Sequence, residues 1–231
     1  MKSLTIILGA TAALAISSSL GVAGERRPSY VLELFTSQGC NSCPPANANL
    51  IRLRDRSDVL ALSFAVTYWD GLGWKDIFGK PEFTRRQEVY EGPLGHSGPF
   101  TPQMVVNGAR DTVGTELSEI QPLLGGQRLG EAPVISLAAS SVSVGSGAAP
   151  QGGADVWLVR YNPHVVEVAV ARGENAGHTL PHANVVHEFV RLGHWDGGAQ
   201  SFQIAQSDPG LRTAVLVQLP SGGRILTAVT D

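Results

Sequence analysis

The chain contains two cysteines, Cys40 and Cys43, spaced as Cys-Asn-Ser-Cys at the end of an apolar run. A bridge between them would close a very small ring, which constrains an unfolded chain far less than a long loop does. The structural value of such a bridge is small. The same spacing suits redox exchange, in which one thiol attacks an external disulfide and the other resolves the mixed disulfide. At the start of a helix, Cys40 would meet unpaired N–H groups and the positive end of the macrodipole, both of which favour a thiolate. Cys40 is therefore expected to be the nucleophile, and Cys43, within the first turn, the resolving thiol. A bare Cys-x-x-Cys is equally half of a zinc site, so its context decides the reading.

Other residues are placed to assist. Thr101-Pro102 opens a later strand and is a candidate for a cis peptide bond, which would leave the backbone of Thr101 free to pair with an extended substrate. A trans proline at a strand start is the other reading. Glu33, in an apolar strand, is a candidate proton acceptor for Cys43, because burial raises a carboxylate's pKa. It could instead be a strand-end residue facing solvent. Trp69, Asp70 and Trp74, with Lys75-Asp76, follow an apolar strand, at the sheet edge where ligand groups gather in α/β proteins. They would wall a groove beside Cys40, or pack the insertion against the sheet. Gln38 and Gln103 are expected to donate hydrogen bonds near the sulfurs. A different chemistry uses Cys40, Cys43 and either His96 or Met104 to hold Cu(I), a soft ion that favours sulfur. His178 and His182 offer two imidazoles in one loop.

These groups need elements to position them. Residues 30–35 read as a buried strand and 44–54 as a helix opened by Pro44-Pro45. Residues 59–66 form a continuous apolar run, as in a strand covered on both faces. Residues 82–90 are helical in character, 102–108 form a strand entering a turn at Asn107-Gly108, and 116–124 a closing helix. This alternation implies a layered α/β domain. Residues 125–133 read as a linker. Beyond it the candidates are strands alone: 133–143, 154–160, 165–172, 185–192, 202–205, 213–218 and 225–229. They imply an all-β, sandwich-like second domain. The expected division is 1–24, 25–128 and 129–231.

Residues 1–24 read as a secretory signal. Lys2 precedes an apolar stretch from Leu4 to Ile16, and Gly21-Val22-Ala23 supplies small residues for cleavage. The stretch is too short and too rich in Ala and Ser for an anchor, and no other segment is long enough to span a bilayer. The mature protein is thus expected to be exported, periplasmic or secreted, where a structural framework would use several cysteine pairs rather than one. A net charge of −3 and a pI near 6.1 do not point to nucleic acid or an anionic membrane. No dinucleotide fingerprint, phosphate loop, nucleophile elbow or paired-His zinc motif is found, and no cofactor is expected.

The order strand, Cys-x-x-Cys, helix, then Thr-Pro, strand, turn, strand and helix resembles the thioredoxin fold. More closely, Phe35-Thr-Ser-Gln-Gly-Cys-Asn-Ser-Cys-Pro-Pro45, Tyr68-Trp-Asp-Gly-Leu-Gly-Trp-Lys-Asp76, Phe83-Thr-Arg-Arg-Gln87 and Phe100-Thr-Pro-Gln-Met-Val-Val-Asn-Gly108 resemble an uncharacterised family of exported bacterial thioredoxin-like proteins. Gly173-Glu-Asn and Asn184-Val-Val186 match it too. The resemblance implies an α/β thioredoxin-like domain before the all-β sandwich-like one, with Cys40 and Cys43 as the redox pair and Pro102, after Thr101, as a cis-proline. Thioredoxins carry Trp where this chain has Gly39, Gly-Pro where it has Asn41-Ser42, and a buried acid where it has Leu34. The expected function is thiol–disulfide exchange on exported protein thiols, a redox partner protein or a small disulfide. Copper handling, and a binding module that does not use its cysteines, are the alternatives.

Overall fold

The computed structural model describes residues 24–231, so the expected signal segment lies outside the described residues apart from its last position. The fold is mixed α/β, with an eight-stranded mixed sheet and a separate three-stranded antiparallel one. In chain order the elements are β1 (Tyr30–Thr36), α1 (Pro44–Leu53), β2 (Val59–Ala65), a single 3-10 turn at Asp70–Leu72, α2 (Pro81–Glu88), α3 (Glu91–Leu94), β3 (Gln103–Val106), β4 (Arg110–Thr112) and α4 (Leu117–Leu124). There follow β5 (Ile135–Leu137), β6 (Ser141–Val144), β7 (Ala154–Ala169), β8 (Thr179–Trp195), β9 (Gln200–Gln203), β10 (Arg212–Gln218) and β11 (Ile225–Thr230). Among the described residues no helix is long and apolar enough to cross a membrane.

The large sheet runs β11-β10-β7-β8-β2-β1-β3-β4. β1 and β2 are parallel, and β3 returns antiparallel beside β1. Of the later strands, β7, β8, β10 and β11 join this sheet through β8, which lies parallel to β2 at Ser63↔Val185. The two compositional halves of the sequence thus share one sheet. The small sheet, β5-β6-β9, stands apart from it.

Side-chain alternation distributes the core. Tyr30, Leu32 and Leu34 of β1 pack with Ala46, Leu50 and Leu53 of α1 and with Ile120 and Leu124 of α4. Val31 and Phe35 point the other way, into a cluster with Phe83, Tyr90, Val159, Ala214 and Leu216. On β10, Val215 and Val217 leave that cluster and pack with Ile135, Val142 and Val144 under the small sheet. This is the period-two geometry of a strand buried on both faces. One face of the large sheet is covered around α2. On the other, α1 and α4 cover one part and the small sheet another.

Glu33 lies on the Phe35 face of β1, opposite α1, and is fully buried. Its carboxylate accepts Nε (3.0 Å) and Nη2 (3.2 Å) of Arg86 and the hydroxyl of Tyr90. Arg86 Nη1 also donates to Gln218 Oε1 on β10 (2.6 Å). Burial pushes the Tyr90 phenol well above its ordinary pKa, so it remains a donor. Glu33 is therefore committed to the far face of the sheet rather than to Cys43.

Removing the carboxylate would strand a buried guanidinium, which costs about 3–5 kcal/mol. Glu33→Ala is expected to lose that much stability in urea unfolding. A loss below about 1 kcal/mol would show that the pair is not buried as described.

Candidate functional site

β1 ends at Thr36, and Ser37-Gln38-Gly39 leads into Cys40. Cys40 and Cys43 form a disulfide. Cys43 is the N-cap of α1, with no side-chain cap and no acid in the first turn. Pro44 and Pro45 occupy the first helical positions, where their missing N–H groups leave no bond unmade. Both cysteines are buried, at 1% and 0% exposure, although Asn41 and Ser42 between them are exposed.

Three other segments close on this loop. The first is the insertion after β2. Asp76 is buried and accepts the backbone N–H of Gln38 (2.8 Å) on one carboxylate oxygen and that of Phe78 (2.8 Å) on the other. Asp70 accepts the N–H of Asp76 (3.1 Å), which fixes the insertion's own shape. Trp74 Nε1 donates to Gln38 Oε1 (2.9 Å). The second is the segment before β3. Trp69 Nε1 donates to Thr101 Oγ1 (2.8 Å), and the Thr101-Pro102 peptide is cis. Trp69 also explains Gly39, because a Cβ there would stand 3.1 Å from the Trp69 Cβ. The third is the turn between β7 and β8. Asn175 Nδ2 donates to Gln38 O and Cys40 O (both 2.9 Å), and Asn41 N donates to Glu174 Oε2 (3.1 Å).

The geometry therefore joins Cys40, Cys43, Gln38, Trp69, Asp70, Trp74, Asp76 and, through Trp69, Thr101-Pro102. It does not recruit every expected residue. Gln103 accepts from Gln87 Nε2 (2.9 Å) and donates to Asp111 (2.8 Å), so its amide serves α2 and β4. His96 Nε2 is hydrogen-bonded to the same Asp111 carboxylate (2.8 Å), and its ring lies against Phe100 (5.1 Å between centroids). Met104 is buried in the cluster beneath α1 and α4. His178 is exposed, whereas His182 is buried against the Phe78 ring, at 5.8 Å between centroids. Among the described residues no group of three or more His, Cys, Asp and Glu is placed to hold a metal.

Asn175 closes the Gly173-Glu-Asn motif of the resemblance, but no role at the site was expected of it. Its other sequence signal is the flanking pair Gly173 and Gly177, both at positive φ (80° and 81°), where a turn requires glycine. Among the described residues, five buried side-chain atoms have no hydrogen-bond partner: Thr36 Oγ1, Gln38 Nε2, Asn47 Nδ2, His182 Nε2 and His187 Nε2. They come from the end of β1, the cysteine loop, α1 and β8. Phe78 lies against both imidazoles and binds Asp76, which in turn holds Gln38. Such orphaned atoms are few in native interiors.

A family model described as a protein of unknown function (DUF1223) matches residues 31–218. No curated protein matches. A structural-genomics crystal structure from Agrobacterium tumefaciens is similar over 88% of this chain and 93% of its own, with 31% identity and a TM-score of 0.71. HBP35 of Porphyromonas gingivalis is similar over 89% of this chain and 75% of its own, with a TM-score of 0.54. At 14% identity that second likeness is one of fold alone.

Burial has opposite consequences for two groups of the site. It raises Asp76 from an ordinary 3.8 to about 6, so the folded protein keeps a proton that the unfolded chain has lost. The stability contributed by Asp76 therefore falls as pH rises from about 4 to about 6. Burial lowers His182 from 6.5 to about 4, so the unfolded chain takes the proton first. The contribution of His182 is lost as pH falls through the same window. At about 1.4 kcal/mol per pKa unit the effects reach at most about 3 kcal/mol for Asp76 and about 3.5 kcal/mol for His182. Relative to wild type, Asp76→Asn should gain stability as pH rises from about 4.5 to about 6.5 and His182→Phe should lose it, read from urea midpoints. Parallel profiles for all three proteins would refute these assignments.

Proposed function

The chain belongs to the DUF1223 family, whose function is unknown, and we propose that it catalyses thiol–disulfide exchange through Cys40 and Cys43. The observation that carries this reading is a disulfide between the chain's two cysteines, one of them the N-cap of α1, in the loop that joins a central strand to that helix. A Cys-x-x-Cys in that position has the helix field to favour a thiolate and a second sulfur within reach to resolve an adduct.

A thioredoxin-like unit is the finer fold reading. It is supported by the order β2-β1-β3-β4, parallel β1 and β2, antiparallel β3 and β4, and α1 and α4 on one face with α2 on the other. The cis Thr101-Pro102 peptide immediately before β3 is consistent with it. The apolar layer between β5-β6-β9 and the strands β7, β10 and β11 supports a sandwich-like reading of the second half. Residues 1–24 are read as an export signal, which would deliver the pair to a compartment where disulfides persist.

From the oxidised state, a thiolate of a client dithiol attacks Cys40 Sγ. The Cys40–Cys43 bond breaks, and its electron pair leaves on Cys43 Sγ. The client's second thiolate then attacks its own sulfur in the mixed disulfide and expels the Cys40 thiolate. Two electrons pass to the cysteine pair, and the two protons released by the client thiols are taken up by the new cysteine thiols or by solvent. The reverse sequence reduces a client disulfide, with Cys40 as nucleophile and Cys43 as resolving thiol.

Cys43→Ser, mixed with a disulfide-bearing client, should accumulate an adduct through Cys40, seen by mass as the sum of the two chains. Cys40→Ser should abolish exchange. Equal turnover by wild type and Cys40→Ser would overturn the mechanism.

A further inference from the structure

Residues 173–177 contact the cysteine loop from far away in sequence, with Asn175 and Cys40 separated by 135 positions. The turn is self-supporting. Gly177 N donates to Val170 O (2.8 Å), Ala176 N to Gly173 O (3.2 Å) and His178 N to Asn175 O (3.1 Å). Its hold on the rest of the protein is narrow by comparison. Asn175 is its one buried residue, whereas Glu174, Ala176 and Gly177 are exposed. Gly173 rests against Trp74, with a would-be Cβ 3.2 Å from the Trp74 Cβ.

Exchange needs an incoming thiolate to reach a sulfur in line with the disulfide bond. At 1% and 0% exposure, neither Cys40 nor Cys43 offers that approach. Of the three side-chain bonds that hold the turn, that from Asn41 N to Glu174 Oε2 is exposed, and the two buried ones, from Asn175, end on backbone carbonyls of the cysteine loop, Gln38 O and Cys40 O. Those carbonyls are acceptors that a backbone N–H of an extended polypeptide would use.

Building on the exchange reading, we propose that residues 173–177 are a displaceable cover of the Cys40–Cys43 disulfide, latched by Asn175. The partner that lifts it is a cysteine-bearing polypeptide whose backbone N–H groups replace the Asn175 amide on Gln38 O and Cys40 O. Asn175 is thus a positioning residue that sets access to Cys40 rather than a catalytic one.

The test is the rate at which dithiothreitol reduces the disulfide in the full chain, followed by alkylation and mass. Asn175→Ala removes the latch and leaves the turn's own backbone bonds in place. Its rate constant should exceed the wild-type value by about tenfold, given two buried hydrogen bonds lost. A rate within about twofold of wild type, less than the loss of even one such bond predicts, would overturn the cover. Wild-type protein supplies a second arm that does not depend on the variant folding. If the turn opens alone, reduction is insensitive to low urea; if its rate rises with urea in step with global unfolding, there is no separate cover. Should both arms come out as expected while Cys43→Ser traps no client, the cover stands and the exchange reading fails. Should the adduct form while Asn175→Ala reduces at the wild-type rate, exchange stands and the cover fails.

Discussion

A carboxylate in the middle of a fully buried strand must be paired, and the pairing of Glu33 organises the molecule around it. Arg86 and Tyr90 reach it from α2 and the segment after it, and Gln218 closes the network from β10, 132 positions beyond Arg86. The network thereby joins an early strand, a helix and a late strand across one face of the sheet. It also sets the rotation of α2. The neighbouring residue, Gln87, donates to Phe100 O and Gln103 Oε1, so the same helix fixes the chain on either side of Thr101-Pro102. A buried ion pair is weak evidence for net stability, but it penalises any packing that leaves one partner alone. Here that penalty acts on the mutual position of α2, β1 and β10.

On the site side, Gln38 plays the comparable part. Its N–H binds Asp76, its side-chain oxygen accepts from Trp74, and its carbonyl accepts from Asn175. One residue just before the disulfide therefore reports on the insertion and on the β7–β8 turn together. The cost of this closure is electrostatic. Asp76 is held in a place that disfavours its charge, and His182 in a place that disfavours its proton. Because the two titrate in opposite senses over one pH range, the assembled site can be nearly indifferent to mild acid while each component is not.

The local elements of the first half were legible because their signals are local. Pro44-Pro45 marked the start of α1, largely apolar runs marked β1 and β2, and Asn107-Gly108 marked a turn in which both residues take positive φ, 54° and 62°. The second half was less legible where the chain breaks local rules. Residues 154–160 and 165–172 read as two strands because Asn162-Pro163 looks like a turn. β7 instead continues through them as one strand with irregular register, opposite Asn184 at φ 49°. Joining β8 to β2 leaves no mark in either segment, since a parallel neighbour far along the chain demands no particular residue. For the same reason the role of Asn175 and the partner of Glu33 were not readable: each is defined by a contact more than fifty positions away. Cys40, Cys43, Trp69 and Trp74 could be found by type and spacing. What covers them could not.

The closed disulfide and the design of α1 bear on each other. Pro44 and Pro45 carry no N–H, and the N–H of Asn47 is bound to Cys43 O, so the first turn offers few free donors to a sulfur anion. Burial alone would raise a thiol's pKa, and a closed, dry site would make either cysteine a poor thiolate. On the exchange reading, the resolving step therefore belongs to a state in which water or a partner's N–H groups reach Cys40. In such a state the macrodipole of α1, rather than individual first-turn donors, supplies the favourable field. Closure and reactivity are then separate properties of the same few residues. Asn175 and Asp76 hold the loop around the joined sulfurs, and on the exchange reading α1 would act once they are parted.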